Sequence, residues 1–378
     1  MLSCFVAFFF LKDRSTPQVL RAIHCFRELR LNYSRIKVLA GVVISGVIAF
    51  AFGQDKISQY IPSIAGADST CLSQFYRDQP PFLNKESLNQ HSYPLCFNGF
   101  NVMYSGASKT PLWSAEHLSP IRLSQKIKRE DSFHEELRVK LEHRALLSDY
   151  RGSGYDRGHM APNGDMPSKQ SQADSFSLAN MVPQAPKNNQ QIWRELEEAT
   201  RAMVTKQKHD VYVITGPVFS GKRLKTIGKG VIVPTAVYKA IYIPKTGAIG
   251  AYYAPNNNSL QVKVISVCEL EDQLGINLFP QLTAEQKRNI YKLPLRGSQV
   301  KPNQPLAYSH WDGASQCAQD VSSEQLKALQ KKFQPAQAML AGGTTKSTQA
   351  QGSGTAGESD LLKQVAENAL HYLLQILK

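Results

Sequence analysis

From Asn98 to about Ala307, short apolar runs recur between Gly, Pro and Asn punctuation. Val211–Thr215 and Val231–Ile243 are rich in β-branched and aromatic residues and predict buried strands. Residues 190–206 hold apolar positions at helical spacing without Gly or Pro, which predicts a helix. Before this body, residues 54–97 are polar and turn-rich, an extended lead-in. After it, residues 321–340 read as a helical extension and 341–358 (AGGTTKSTQAQGSGTAGE) as a flexible linker. Residues 359–378 return to helical periodicity through Leu361, Leu362, Val365, Leu370, Leu373, Leu374 and Leu377, an amphipathic C-terminal helix. No internal repeat is visible. The expectation is one α+β domain over residues 98–320 with a tethered helix.

The first 53 residues stand apart from this pattern. Residues 1–37 carry seven Lys/Arg against Asp13 and Glu28, and an uncharged apolar run of 15 residues follows, Val38–Phe52. Ala49-Phe50-Ala51 supplies a small-x-small site, so residues 1–53 have the parts of a secretory signal. The run is shorter than the roughly 20 residues that span hydrocarbon. A signal-anchor through residues 38–52 is the competing reading, and an Arg-rich mitochondrial presequence a third. Export to the periplasm or the extracellular space is the expectation.

Charge then narrows the partners. The 378 residues hold 44 Lys+Arg and 30 Asp+Glu, a net +14, which favours a polyanionic partner without separating nucleic acid from an anionic membrane. Removing residues 1–53 takes away seven positive and two negative charges and leaves 37 against 28, or +9. Residues 201–229 hold seven Lys/Arg and only Asp210, a local +6. Phosphate contacts of this kind bring affinity without sequence information. Of six cysteines, Cys71, Cys96, Cys268 and Cys317 lie beyond the signal, compatible with two disulfides in an exported chain. Cys71 and Cys96 flank the loop containing Gln79-Pro80-Pro81 and form the favoured pair. Cys268 and Cys317 also suit buried free thiols.

Two chemical motifs fail on inspection. Gly216–Lys222 fits the start of a phosphate-binding loop, but Arg223 stands where Ser or Thr would ligate Mg²⁺. No G-x-S-x-G elbow is present. The informative stretch is Asp156-Arg157-Gly158-His159. Extended backbone puts Arg157 and His159 on one face, a guanidinium able to bind two phosphate oxygens beside an imidazole able to take a proton from water. Downstream, Asn189, Trp193, Glu197 and Arg201 recur every four residues. An asparagine oxygen suits a Mg²⁺ that keeps most of its waters, and Glu197 could hold one of them. Alone, the stripe equally describes a solvated helix face with Trp193 packed inward.

Taken together, these blocks resemble the DNA/RNA non-specific endonucleases of the ββα-metal fold, the endonuclease G-like family. Asp156-Arg157-Gly158-His159-Met160-Ala161-Pro162 resembles the family's D-R-G-H signature. Asn180-Met181-Val182-Pro183-Gln184, Asn189-Gln190 and Trp193 follow in the family's order and spacing, then Thr215-Gly216-Pro217 and Val231–Lys239. The likeness covers roughly residues 100–308.

The resemblance implies a central antiparallel sheet flanked by helices, with the active site on a strand-loop-helix element. It implies His159 as general base, Asn189 as the direct ligand of one Mg²⁺ (Mn²⁺ substituting), Asn180 at the active site and Glu197 on metal-bound water. Arg157 and Arg201 would contact the scissile phosphate. It further implies DNA and RNA as substrates, 5′-phosphate products and, as one option, a homodimer. A non-catalytic nucleic-acid-binding or uptake protein is the alternative of a different class, and it would be marked by loss of His159 or Asn189. An exported toxin effector would share the same chemistry. The C-terminal helix carries few basic residues, against a strong electrostatic membrane anchor.

Overall fold

Seven antiparallel strands form the sheet on which everything else is built. In chain order they are β1 (Ser92–Phe97), β2 (Phe100–Ser105) and β3 (Thr110–Leu118), with three further long strands and a short edge strand beyond the helix described below. A separate antiparallel pair follows β3: β4 (Asp156–His159) and β5 (Met181–Gln184). The sheet resumes with β6 (Val211–Val218), β7 (Ala236–Ile243), β8 (Ala248–Pro255) and β9 (Lys263–Ile265). Their order across the sheet is β9-β8-β7-β6-β3-β2-β1. This is the structure of residues 71–333 in a computed structural model. The signal or anchor segment, the 341–358 linker and the C-terminal helix 359–378 lie outside the described residues.

Side chains alternate across the sheet and create two cores. On β7, Ala236, Tyr238, Ala240 and Tyr242 join Trp113 and Phe279 on one face. Val237, Ile241 and Ile243 face the other way, toward Trp193, Leu196 and Met203. The covering helix is α1, Arg194–Gln207. Its Leu196, Ala199, Thr200, Met203, Val204 and Gln207 are buried, the spacing of a helix seated on a sheet. It ends at Lys208 in the left-handed region (φ 58°), whose N–H reaches Val204 O. The opposite face receives α2 (Val267–Leu274) and α3 (Ser323–Lys332). Phe333, just past α3, packs against Phe75 and Trp113 at 5.3 and 5.7 Å between ring centroids.

Three expectations shift. The stretch read as one strand from Val231 is split into Val231–Ile232 and β7 around Pro234, which cannot donate to a ladder. The expected helix starts as a π-helical turn, Asn188–Trp193, before α1 begins, and the extra residue changes which side chains share a face. Residues 71–97 are more than a lead-in, because β1 is a strand of the main sheet and Phe75 and Leu83 enter its core. Two disulfides close this architecture. Cys71–Cys96 ties the segment before the sheet to β1, and Cys268–Cys317 ties α2 to the chain that leads into α3.

The pairing of β4 with β5 sets the position of the signature residues, with Asp156 opposite Gln184 and Gly158 opposite Val182. The Gln184 side chain lies across the strand at Gly158, where any Cβ would collide with it. Gln184 is fully buried and donates through Nε2 to Asn188 Oδ1 at 2.6 Å, so it cannot swing aside. Gly158→Ala is therefore expected to destabilise the protein by about 1–3 kcal/mol. Urea unfolding checks this, and an unchanged midpoint would show that β4 and β5 are not so tightly fitted.

Candidate active site

β4 and the π-helical turn meet at a cavity of about 880 Å³. Arg157, His159, Asn189 and Glu197 all line it, so four of the residues singled out by sequence converge. Asp156 makes the joint between strand and helix. Its Oδ2 accepts from Asn189 Nδ2 at 2.9 Å and from Gln190 Nε2 at 2.8 Å. With the amide nitrogen engaged, Asn189 Oδ1 is the atom of that side chain left for a cation.

His159 is 9% exposed. Its ring stands edge-on to Phe176 at 5.0 Å and tilted to Phe133 at 5.7 Å. Nε2 is buried without a partner, which leaves Nδ1 as the ring nitrogen that can serve the cavity. Burial pushes the imidazole down to about 3, with Arg129 and Arg157 adding to the effect and Asp131 opposing it. The ring is therefore neutral at physiological pH.

The two arginines are themselves held by the same aromatic residues. Arg157 Cζ lies 3.9 Å from the Phe133 centroid, and Arg129 Cζ lies 5.4 Å from that of Phe176. Arg129 also pairs with Asp131 at 2.6 Å. Backbone bonds between His134 and the Phe176–Leu178 segment pin this wall in place. Arg151 and Arg194 add two more guanidinium groups at the cavity wall.

Glu197 is half-buried. Burial pushes its carboxyl up to about 7, while Arg201 and Lys239 pull it back and Asp165 and Glu198 oppose them. Among the described residues, no group of three or more His, Cys, Asp or Glu converges as a metal-binding cluster. The oxygen donors at this cavity are side-chain amides, Asn189 Oδ1 among them, and the carboxylates of Asp156 and Glu197. That set suits a hard ion completed by water, and not a thiolate or multi-histidine metal.

Asn180 and Arg201 fall elsewhere. Asn180 is fully buried, and its Oδ1 accepts from Ser114 Oγ at 2.8 Å and Ala161 N at 2.9 Å. Its Nδ2 donates to Ala161 O and Ser175 O. With every valence used, Asn180 braces the chain leaving His159 and presents nothing to a substrate. Arg201 is not among the lining residues; it pairs with Asp165 at 2.8 Å and lies in the field of Glu197. The basic stretch 201–229 also contributes no residue to the lining. Lys206 is spent on Gly297 O and Val300 O. The positive wall is instead Arg129, Arg151, Arg157 and Arg194.

Sequence reading passed over Arg129, Phe133 and Phe176, which lie 30, 26 and 17 positions from His159 with no local pattern linking them. The signal for Asp156 was present, because an acid inside an otherwise phosphate-binding motif calls for a nearby donor.

A family model for DNA/RNA non-specific endonucleases matches residues 79–285. The mitochondrial nuclease EXOG of Danio rerio is 38% identical over 207 residues, 49% of this chain and 60% of that protein. Human mitochondrial endonuclease G is 37% identical over 183 residues, 44% and 59% of the two chains. Nuclease C1 of Cunninghamella echinulata var. echinulata is 33% identical over 228 residues, 53% and 90%. The chain thus spans about three fifths of the length of the two mitochondrial relatives. With the family model matching more than half of its residues, the chain belongs to the DNA/RNA non-specific endonuclease family.

Proposed function

We propose that this protein is a Mg²⁺-dependent endonuclease that hydrolyses phosphodiester bonds of DNA and RNA without sequence preference. The observation that carries this reading is a neutral, desolvated His159 in one cavity with Asn189, Glu197 and an arginine wall. Both residues whose loss would mark a non-catalytic relative, His159 and Asn189, line that cavity.

Arg157 and Arg129, which line the cavity with His159, would take the scissile phosphate. A phosphate bound between them neutralises the two cations that help to depress His159, raising the basicity of the imidazole when substrate arrives. Nδ1 then takes a proton from a water that attacks phosphorus in line. The P–O3′ bond breaks, leaving a 3′-hydroxyl on the upstream fragment and a 5′-phosphate on the downstream fragment. Asn189 Oδ1, fixed by Asp156, would hold the ion, and Glu197 would hold one of its waters. When bound, Mg²⁺ supplies charge stabilisation for the departing 3′ oxygen. Contacts to phosphate alone account for breadth of sequence. Asn180 and Arg201 serve this site indirectly, the first by bracing Ala161 and the second through Asp165.

Export to an oxidising compartment is part of the same proposal, supported by the two disulfides. The Danio rerio and human relatives carry mitochondrial names.

Digestion of plasmid and RNA with Mg²⁺ or EDTA is the primary test, and absence of metal-dependent cleavage of either polymer would sink the proposal. His159→Ala should lose about 10²–10⁴-fold in turnover, with Mg²⁺ and DNA binding nearly intact. Asn189→Ala should weaken Mg²⁺ binding, with excess Mg²⁺ restoring part of the rate. Exchanged phenotypes in calorimetry and kinetics would refute the role assignment.

Binding should also weaken steeply with salt, and Arg151→Ala and Arg194→Ala should each lower the slope of log affinity against log salt by about 0.7–0.9. Neutralising Lys222, Arg223 and Lys225 should leave that slope unchanged. A fall in slope on neutralising these three residues would restore the 201–229 segment as the binding surface.

A further inference from the structure

Between Gln125 and Phe133 the chain forms neither helix nor strand of the sheet, yet it is tied down on both sides. Upstream, the Arg122 guanidinium donates to Glu116 at 3.1 Å and to Asp165 O at 2.8 Å. Downstream, Gln172 clasps the backbone from the short helix Lys169–Ser175, where it is 3% exposed. Its Oε1 accepts from Glu130 N at 2.9 Å, and its Nε2 donates to Ile127 O at 3.5 Å. Lys128 and Arg129 lie between those two contacts. A backbone held in this way gives up little freedom when a ligand binds to its side chains.

The charges along this segment divide by their contacts. Ile127 is half-buried, with Lys126 and Lys128 exposed on either side of it. Arg129 lies over the Phe176 ring and lines the cavity. The acids that follow are engaged, Asp131 with Arg129 at 2.6 Å and Glu130 with Lys169 at 3.9 Å. Lys126 and Lys128 belong to no ion pair among the described residues. Two ammonium groups thus stand in solvent on a clasped segment that runs directly into the cavity wall.

We propose that Lys126 and Lys128 form a phosphate track that grips the nucleic-acid backbone flanking the scissile linkage, on the side of the cavity where Arg129 stands. The proposal rests on the nuclease reading of the cavity and extends its footprint beyond the reacting phosphate. A polymer crossing the cavity has to leave it past one of the walls, and this wall continues into unpaired cations. Such contacts hold the strand without reading its bases. The track makes a long strand a better substrate than a dinucleotide, which ends before reaching it. Ile121, exposed just upstream, makes an anionic membrane the rival partner, since basic residues also gather at anionic lipid surfaces. Continuity with Arg129 favours nucleic acid.

The test compares the full chain with its Lys126→Ala/Lys128→Ala variant. Binding of a fluorescent single-stranded oligonucleotide is followed by anisotropy in EDTA across a salt series. The variant's slope of log affinity against log salt should be shallower by about 1.4, or about 0.7 for each lysine. Lys331→Ala/Lys332→Ala, which removes two exposed lysines at the end of α3 on the opposite face of the sheet, should leave the slope unchanged. An equal fall in that control would assign the effect to net charge and overturn the track, as would an unchanged slope in the Lys126/Lys128 variant. With Mg²⁺, the Lys126/Lys128 variant should show a raised KM and unchanged kcat on the long strand, and unchanged kcat/KM on a dinucleotide. An equal loss on the dinucleotide would place the lysines at the reacting phosphate and contradict the proposal. Loss of binding to phosphatidylserine vesicles with the oligonucleotide slope unmoved would make the segment a membrane contact instead. Binding in EDTA needs no catalysis, so failure of the nuclease reading would show in the digestion assay alone, and failure of the track in the slope.

Discussion

The site depends on one carboxylate. Asp156 accepts from Asn189 and Gln190 and so couples the strand that carries His159 to the helical turn that carries the candidate metal ligand. The bond also decides which way the Asn189 amide faces, since its nitrogen is spent on Asp156 and its oxygen is released to the cavity. Gly158 lets this joint close, because the buried Gln184 side chain occupies the space a larger residue would need. Strand pairing, a hydrogen bond and a missing Cβ together place the groups before any substrate binds.

Desolvation then sets the chemistry. Phe133 and Phe176 enclose His159 and each also supports an arginine of the cavity wall. One pair of aromatic rings thus keeps the base neutral and holds cations for the phosphate beside it. The costs of gathering charge are met one layer down, where Asp165 balances Arg201 and Glu116 balances Arg122 at the sheet surface.

Much of this was legible in the sequence where the determinants are local. Asp156–His159 is a short strand whose alternation could be read directly, and the 194–207 helix announces itself by spacing. The drift from Asn189 to Arg201 was misjudged, because a π-helical turn inserts an extra residue that no periodicity reveals. Asn180 and Arg201 carried family-implied roles, and the hydrogen bonds of the one and the Asp165 ion pair of the other could not be read from spacing. The 201–229 cluster misled for a different reason: net charge along a chain says nothing of where it points, and Lys206 ends on backbone carbonyls. Arg129, Phe133 and Phe176 were invisible because long-range pairing of the 134 and 176–178 segments alone brings them to His159.

The account's central claim is that the apolar cage makes His159 a neutral base at working pH, and an NMR titration of its imidazole tests that most directly. In the free protein the ring should remain neutral down to about pH 4, with a midpoint about 3, and the midpoint should move upward when a short oligonucleotide occupies the cavity. A midpoint near the ordinary histidine value of about 6.5, unmoved by the oligonucleotide, would contradict it.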